Sequence, residues 1–380
     1  MNKIDVKSAF SNAYIKFKAK RDARSMSKKV ESIKIQTELL RTAVAVVVAF
    51  FVALIIILCV SKQPMEAFQY LVLGPLMKPR YFNQVLVQMV PLALTGLALA
   101  LMLKAGQFNL ATEGAFILGG VFAALIAIRV ALPLGIHPIF AIIFGIVGGV
   151  MICIVPALLK ISFGISEMVV SLMMNYIALR IGNVIIRGAL LDETAGILTT
   201  KEFLDTAKMH VIPLGELEIQ VALIIMVIVV VGFYIYLSKT RNGYAMQLSG
   251  LNGRFLAFSG IGVSGLVLTS QIMGGAVAGG AGAMYTLSNL ERYDLVNTFP
   301  NKGFDGMIVT ILARNNPLLI PVAAFFLAYV REGAEIMSRH TDVSVEIMSI
   351  IQGIIIILVA GQALFSNMQN KRIIKEVANG

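Results

Sequence analysis

The sequence predicts an all-α polytopic membrane protein of about ten transmembrane helices, with two broken-helix regions in an inverted-repeat arrangement. Three observations lead there. Hydrophobic residues fill 58% of the 380 positions and charged residues only 14%, and the mean hydropathy is +0.84, far outside the range of soluble domains. The apolar residues come in runs of roughly 20, the length that crosses about 30 Å of hydrocarbon at about 1.5 Å per residue, and the runs lack the period-two alternation of barrel strands. Two stretches are polar and glycine-punctuated where an apolar run is expected to continue: KAGQFNLATEGAFILGG at 104–120 and FPNKGFDG at 299–306.

Taken in order, residues 1–41 hold eleven lysines and arginines against four acids, a net of +7, which places this tail in the cytoplasm. The basic region is too long for a cleaved signal peptide, and no small-residue cleavage pattern follows the apolar run. The transmembrane domain then occupies 42–366. Its first segment is Ala43 to Val60, followed by an outside loop containing Pro64, Pro75 and Pro79. Segments two to five are Phe82 to Leu103, Gln107 to Ile128, Ile139 to Leu159 and Ile165 to Ile186, with Lys104 and Lys160 marking inside turns.

The loop at 187–218 carries Asp192, Glu193, Glu202 and Asp205 with few basic groups and is expected outside. After segment six, Ile219 to Leu237, the stretch 238–261 has Lys239, Arg241 and Arg254 and no acid, the charge of an inside loop. Segment seven, Gly262 to Leu287, contains GGAVAGGAGA; its Gly275 and Gly279, like Gly145 and Gly149 in segment four, have the spacing that lets membrane helices approach closely. A short run at Met307 to Ala313, a turn at Arg314 to Pro317, and segments at Leu318 to Val330 and Val345 to Leu364 complete the domain. The basic tail 367–380 returns to the cytoplasm, so both termini are inside.

The net charge of +11 is read as basic cytoplasmic loops, and no nucleic-acid partner is expected. Cys59 and Cys153 lie in apolar runs, and His137, His210 and His340 have no ligand spacing, so neither a disulfide framework nor a metal site is expected. The chain has no P-loop, no GxSxG and no HExxH. It is read as a transport protein with no catalytic residues and no cofactor of its own. Its energy comes from an ion gradient or a separate protein.

The two interruptions fall at comparable places in the two halves, the pattern of inverted-repeat transporters whose substrate path runs where half-helices meet. Backbone groups freed by a break need protein or cavity water to satisfy them. Asn109, Glu113, Glu167, Asn175 and Asp305 are the candidates to face the path, because polar groups at membrane depth are costly unless they face protein or water. Phe108, Phe116 and Tyr176 are candidates for apolar walls. Glu167 and Asn175, eight residues apart near one helix face, can alternatively hold helices together.

In order along the chain, GQFNLATEGAFILGG, ISEMVVSLMMNYIA (165–178), GYAMQLSGLNGRFLAFSGI (243–261), GGAVAGGAGAMY and KGFDGMIVTILARNNP (302–317) resemble the permease subunits of bacterial ABC importers. The closest branch is the simple-sugar and nucleoside type, related to ribose and branched-chain amino acid permeases, and the resemblance covers roughly residues 40 to 365. It implies a chain in the bacterial cytoplasmic membrane that pairs with a second permease, the same or a related chain. The further partners it implies are ATP-binding subunits that hold ATP-Mg and an extracytoplasmic substrate-binding lipoprotein. It also implies that 243–260 is the coupling helix, with Gly243, Gly250 and Asn252 at motif positions and Tyr244, Arg254 and Phe255 beside them. Phe255, Leu256 and Phe258 can dock into an ATPase groove. Arg254 and Phe255 stand where the family commonly has alanines, and Ala115 where glutamine is common. The expected function is import of nucleosides, with purine nucleosides first, simple sugars as the alternative, and an ion-coupled secondary transporter as the rival from another class.

Overall fold

The computed structural model describes residues 48, 50–196, 198–215, 217–295 and 297–344 and four positions beyond, 350, 353, 354 and 357. Both tails, the start of the first segment and nearly all of the segment expected at 345–364 lie outside the described residues. Eleven α-helices run through the described residues. They are α1 (Phe50–Val60), then α2 (Pro64–Met77), α3 (Pro79–Lys104), α4 (Thr112–Arg129), α5 (Ile136–Phe163), α6 (Glu167–Ile185), α7 (Val221–Lys239), α8 (Arg241–Phe258), α9 (Val263–Asn289), α10 (Lys302–Leu312) and α11 (Ile320–His340). Six of them, α3 to α7 and α9, are long and apolar enough to cross a membrane, with the π-helical turn Ile186–Leu190 extending α6. At 11 residues α10 spans only about 16 Å and is a half-helix.

The stretch expected as an outside loop with three prolines is instead helical. Pro64 and Pro79 each open a helix, where the missing N–H would have no partner anyway and the fixed φ suits the first turn. Pro75 sits inside α2, near its end. At the same end of the molecule, Asp342 accepts from the Ser61 hydroxyl at 2.6 Å and the Lys62 N–H at 2.7 Å, tying the end of α11 to the α1–α2 turn. These bonds, the hydroxyl first, hold its carboxyl below the usual carboxylate range.

The centre of the fold is α4, α5 and α9 packed against one another, with α3 against α9, α10 and α11. The small residues explain why the first three come so close. A Cβ on Gly279 would fall within 2.8 Å of the Gly149 Cα, and one on Gly275 within 2.8 Å of the Gly149 carbonyl, so the two glycine pairs seen in the sequence meet each other. With α6 also packed on it, α4 is buried at every residue from Thr112 to Val121.

The loop after α6 is folded. An antiparallel pair, β1 (Val211–Leu214) and β2 (Leu217–Gln220), leads into α7. Isolated bridges join Leu191 to Thr200 and Thr199 to Asp294, and Arg292 pairs with Asp192 at 2.7 Å and Glu202 at 2.8 Å. These contacts tie the loop to the chain between α9 and α10.

Candidate functional site

The chain leaves helix between Lys104 and Thr112, and the left-handed φ of 73° at Gly106 turns it back. A break inside an apolar bundle strands backbone groups, and side chains of α6 meet them here. The Leu110 N–H donates to Ser171 Oγ at 3.0 Å, the Leu110 carbonyl accepts from Asn175 Nδ2 at 3.0 Å, and the Gly114 N–H donates to Asn175 Oδ1 at 2.8 Å. Asn109 satisfies its own turn, accepting from the Ala111 N–H at 2.7 Å.

From the break a buried polar chain crosses three helices. Asn109 Nδ2 donates to Gln271 Oε1 on α9 at 2.6 Å, and Gln271 donates in turn to Glu167 at the start of α6. Glu167 pairs with Lys160 of α5 at 2.8 Å, and Lys160 also donates to Gln107, which closes the chain back on the break. Glu167 is nearly fully buried while Lys160 is about one-third exposed, so the carboxylate depends on this one cation. We expect Lys160→Met to lower the thermal midpoint of the purified protein, and adding Glu167→Gln to recover most of the loss. Melting curves in detergent check this; a double variant no better than the single one would contradict the pairing.

The second break meets the first through Glu113. This fully buried residue stands in the first turn of α4, and its carboxylate reaches the start of α10. Oε1 accepts from the Asn301 N–H at 2.8 Å; Oε2 accepts from Gly303 at 2.6 Å and Phe304 at 3.1 Å. A side chain from one helix thus caps another and offsets the positive end of its dipole. Gly303 permits the approach, since a Cβ there would collide with the Glu113 backbone. Thr95 of α3 adds a bond to the Lys302 carbonyl at 2.9 Å. Asp305, in the first turn of α10, pairs with Arg331 of α11, and Lys302 donates to Gln88 at 3.0 Å.

The structure therefore brings Asn109, Glu113, Glu167 and Asn175 together around the first break, and Asp305 lies on the far side of α10, against α11. Of the expected wall residues, Phe116 is inside the bundle against Tyr285, with ring centroids 5.7 Å apart, whereas Phe108 and Tyr176 are exposed. Gln271, Ser171, Gln107, Thr95 and Arg331 complete the networks without having stood out in the sequence, together with Lys160, which the sequence marks only as an inside turn. Their signal was available: each is a polar residue next to or within an apolar run. Among the described residues no group of three or more His, Cys, Asp and Glu side chains lies together.

The stretch 243–258 lies in helix α8, entered through Thr240, whose hydroxyl accepts from the Gly243 N–H at 3.1 Å, and 259–260 form the turn that follows it. It bends at Asn252, where φ is −156° and ψ is 85°. The Asn252 side chain accepts from the Phe255 N–H at 3.0 Å and so caps the second half. Leu256 is buried, while Leu251, Phe255 and Phe258 stand 84%, 62% and 92% exposed. On its inner side Gly250 lies against the α3–α4 turn, its Cα 2.9 Å from where a Gly106 Cβ would be. An added Cβ on Gly250 itself would collide with the Lys104 carbonyl.

Residues 81–360 match the family described as branched-chain amino acid transport system / permease component. A guanosine ABC transporter permease protein of Bacillus subtilis is 31% identical over 74% of this chain and 81% of its own length. A nucleoside ABC transporter permease protein of Lactococcus lactis is 27% identical over 86% of this chain and 92% of its own. A glucose ABC transporter permease protein of Haloferax volcanii is 26% identical over 84% and 86%. No solved structure matches.

Proposed function

This chain belongs to the branched-chain amino acid transport system permease family and is a multi-pass membrane protein; from that premise and the geometry above we propose that it is the permease subunit of an ATP-driven importer of nucleosides, purine nucleosides first. The observation that carries the coupling part of the reading is the seat of α8. Its exposed Leu251, Phe255 and Phe258 offer an apolar docking face, while Gly250 rests on the turn that leads straight into the break bearing Asn109 and Glu113. Two relatives named for nucleosides support the substrate class. The relative named for glucose supports the second reading, a simple-sugar permease.

In this proposal the chain catalyses no covalent step. ATP-Mg is bound and hydrolysed by separate ATP-binding subunits that dock on the exposed side of α8 through Tyr244, Arg254 and Phe255, while Gly243, Gly250 and Asn252 seat and shape that helix. A second permease, the same or a related chain, completes the path. A substrate-binding lipoprotein delivers the nucleoside from outside. The chain sits in the bacterial cytoplasmic membrane with both tails inside, its 42–366 region forming about ten spans in two inverted halves whose breaks are 104–112 and 299–302. Asn109, Glu113, Glu167, Asn175 and Asp305 organise those breaks, and Phe108 and Tyr176 belong to the walls, while Phe116 packs in the core behind them. The test is ATP hydrolysis by the assembled transporter in proteoliposomes: a nucleoside-loaded binding protein is expected to stimulate it and a ribose-loaded one is not. Stimulation by sugar alone would move the assignment to the second reading.

A further inference from the structure

We infer that Tyr176, Phe299 and Phe304 form a seat for an uncharged aromatic base, midway along the bundle at the second break. The inference rests on the nucleoside reading above and names the place where the base is held. Tyr176 is the tenth of the nineteen residues of α6, and the neighbouring Asn175 carries the Gly114 bond, so Tyr176 lies at the depth where the two breaks meet. Its ring stands 4.9 Å from that of Phe299, at 73°, and Phe299 stands 5.9 Å from Phe304, at 90°. Edge-to-face pairs of this kind leave ring faces available for stacking.

Two features set this cluster apart from a lipid-facing surface. Tyr176 is 62% exposed at mid-height, and its hydroxyl has no hydrogen-bond partner among the described residues. A phenol in hydrocarbon would be left unsatisfied there, whereas tyrosines that face lipid gather at the two interfaces. Below it the chain from 297 to 301 is outside any helix, and Asn297, Thr298, Pro300 and Asn301 are exposed. Non-helical backbone at membrane depth is tolerated only against protein or water, so this side of the cluster faces a water-filled path. Asn301 is held there in the left-handed conformation, φ 60°, with its N–H on Glu113.

The first N–H groups of α10 are already taken by Glu113, Lys302 donates to Gln88 and Arg331 to Asp305. These groups are thus not open to a phosphate beside Phe299 and Phe304, which favours ring stacking over charge as the means of holding a ligand there. Stacking on such rings is sequence-tolerant among bases and contributes about tenfold or more in affinity per base.

The test uses the full permease with its partners in membrane vesicles. Cys59 is the exposed cysteine and Cys153 is buried, so in a Cys59→Ser background Met173→Cys, on the exposed face of α6 one turn before Tyr176, supplies one accessible thiol and leaves all three rings in place. A small hydrophilic thiol reagent is expected to label it, and saturating adenosine is expected to slow labelling about tenfold while ribose does not. In the otherwise native chain, Phe299→Leu is expected to raise the KM for adenosine about tenfold, while Phe299→Tyr keeps it near wild type. No labelling means that this face of α6 meets lipid or a partner helix, and labelling that adenosine leaves unchanged means a water face without a base; either overturns the seat. If the parent assembly transports adenosine while these results fail, the seat alone falls. If it transports only sugars, the nucleoside reading falls with it.

Discussion

Gly250→Val is expected to cut transport at least tenfold while the protein still inserts and accumulates normally. The side chain has nowhere to go: its first carbon would meet the Lys104 carbonyl and lies against Gly106, both backbone, so rotamer changes cannot relieve the clash. Overpacking of this kind costs about 1–3 kcal/mol, and the cheapest relief is for α8 to lift away from the α3–α4 turn. That movement separates the docking face bearing Phe255 and Phe258 from the break it is meant to move. Gly265→Ala, at a position in α9 where an added Cβ meets nothing within 4 Å, is the control for a glycine change without a clash. Uptake and ATP hydrolysis measured together check the idea: hydrolysis retained but uncoupled from uptake is the expected pattern, and normal coupled transport would remove Gly250 from the route.

Glu113→Ala is expected to abolish transport and to destabilise the folded chain. It strands the buried N–H of Gly303 and the partly buried N–H groups of Asn301 and Phe304, and an orphaned buried donor costs about 1–3 kcal/mol. Glu113→Gln is milder, because one oxygen remains, yet it turns an NH2 donor toward at least one N–H donor. Its thermal midpoint in detergent should fall between those of the wild type and the alanine variant. Since all three contacts are to protein backbone, Glu113 is a positioning residue: the maximal uptake rate should drop with little change in KM for the nucleoside. A raised KM at unchanged thermal stability would instead mean that the carboxylate touches the substrate.

Much of this architecture was legible because a bilayer imposes long apolar runs. The runs at 82–103 and 139–159 lie within α3 and α5, the run at 219–237 falls in α7 apart from its first two residues, which end β2, and the glycine spacings at 145/149 and 275/279 proved to be two halves of one contact. The polar breaks were legible for the same reason, since Asn109 and Glu113 stand out against their surroundings. What the breaks are bonded to was not. Gln271 lies 162 residues from Asn109, and Asn301 lies 188 from Glu113, and no local spacing encodes such pairs. The prolines misled at 64–79 because the same residue that ends one helix can open the next. Phe116 looked like a wall because it follows Glu113 closely, yet α4 is packed on all sides by α5, α6 and α9 and turns that ring into the core.

The most direct measurement is uptake of labelled adenosine, guanosine and ribose by vesicles holding this chain with its candidate ATPase and binding-protein partners, with and without ATP on the cytoplasmic side. Accumulation of the nucleosides that requires ATP, survives collapse of the ion gradients and is not matched by ribose is the result expected. Nucleoside uptake that persists without ATP and disappears when the gradients are collapsed would contradict it, and would make this chain an ion-coupled carrier.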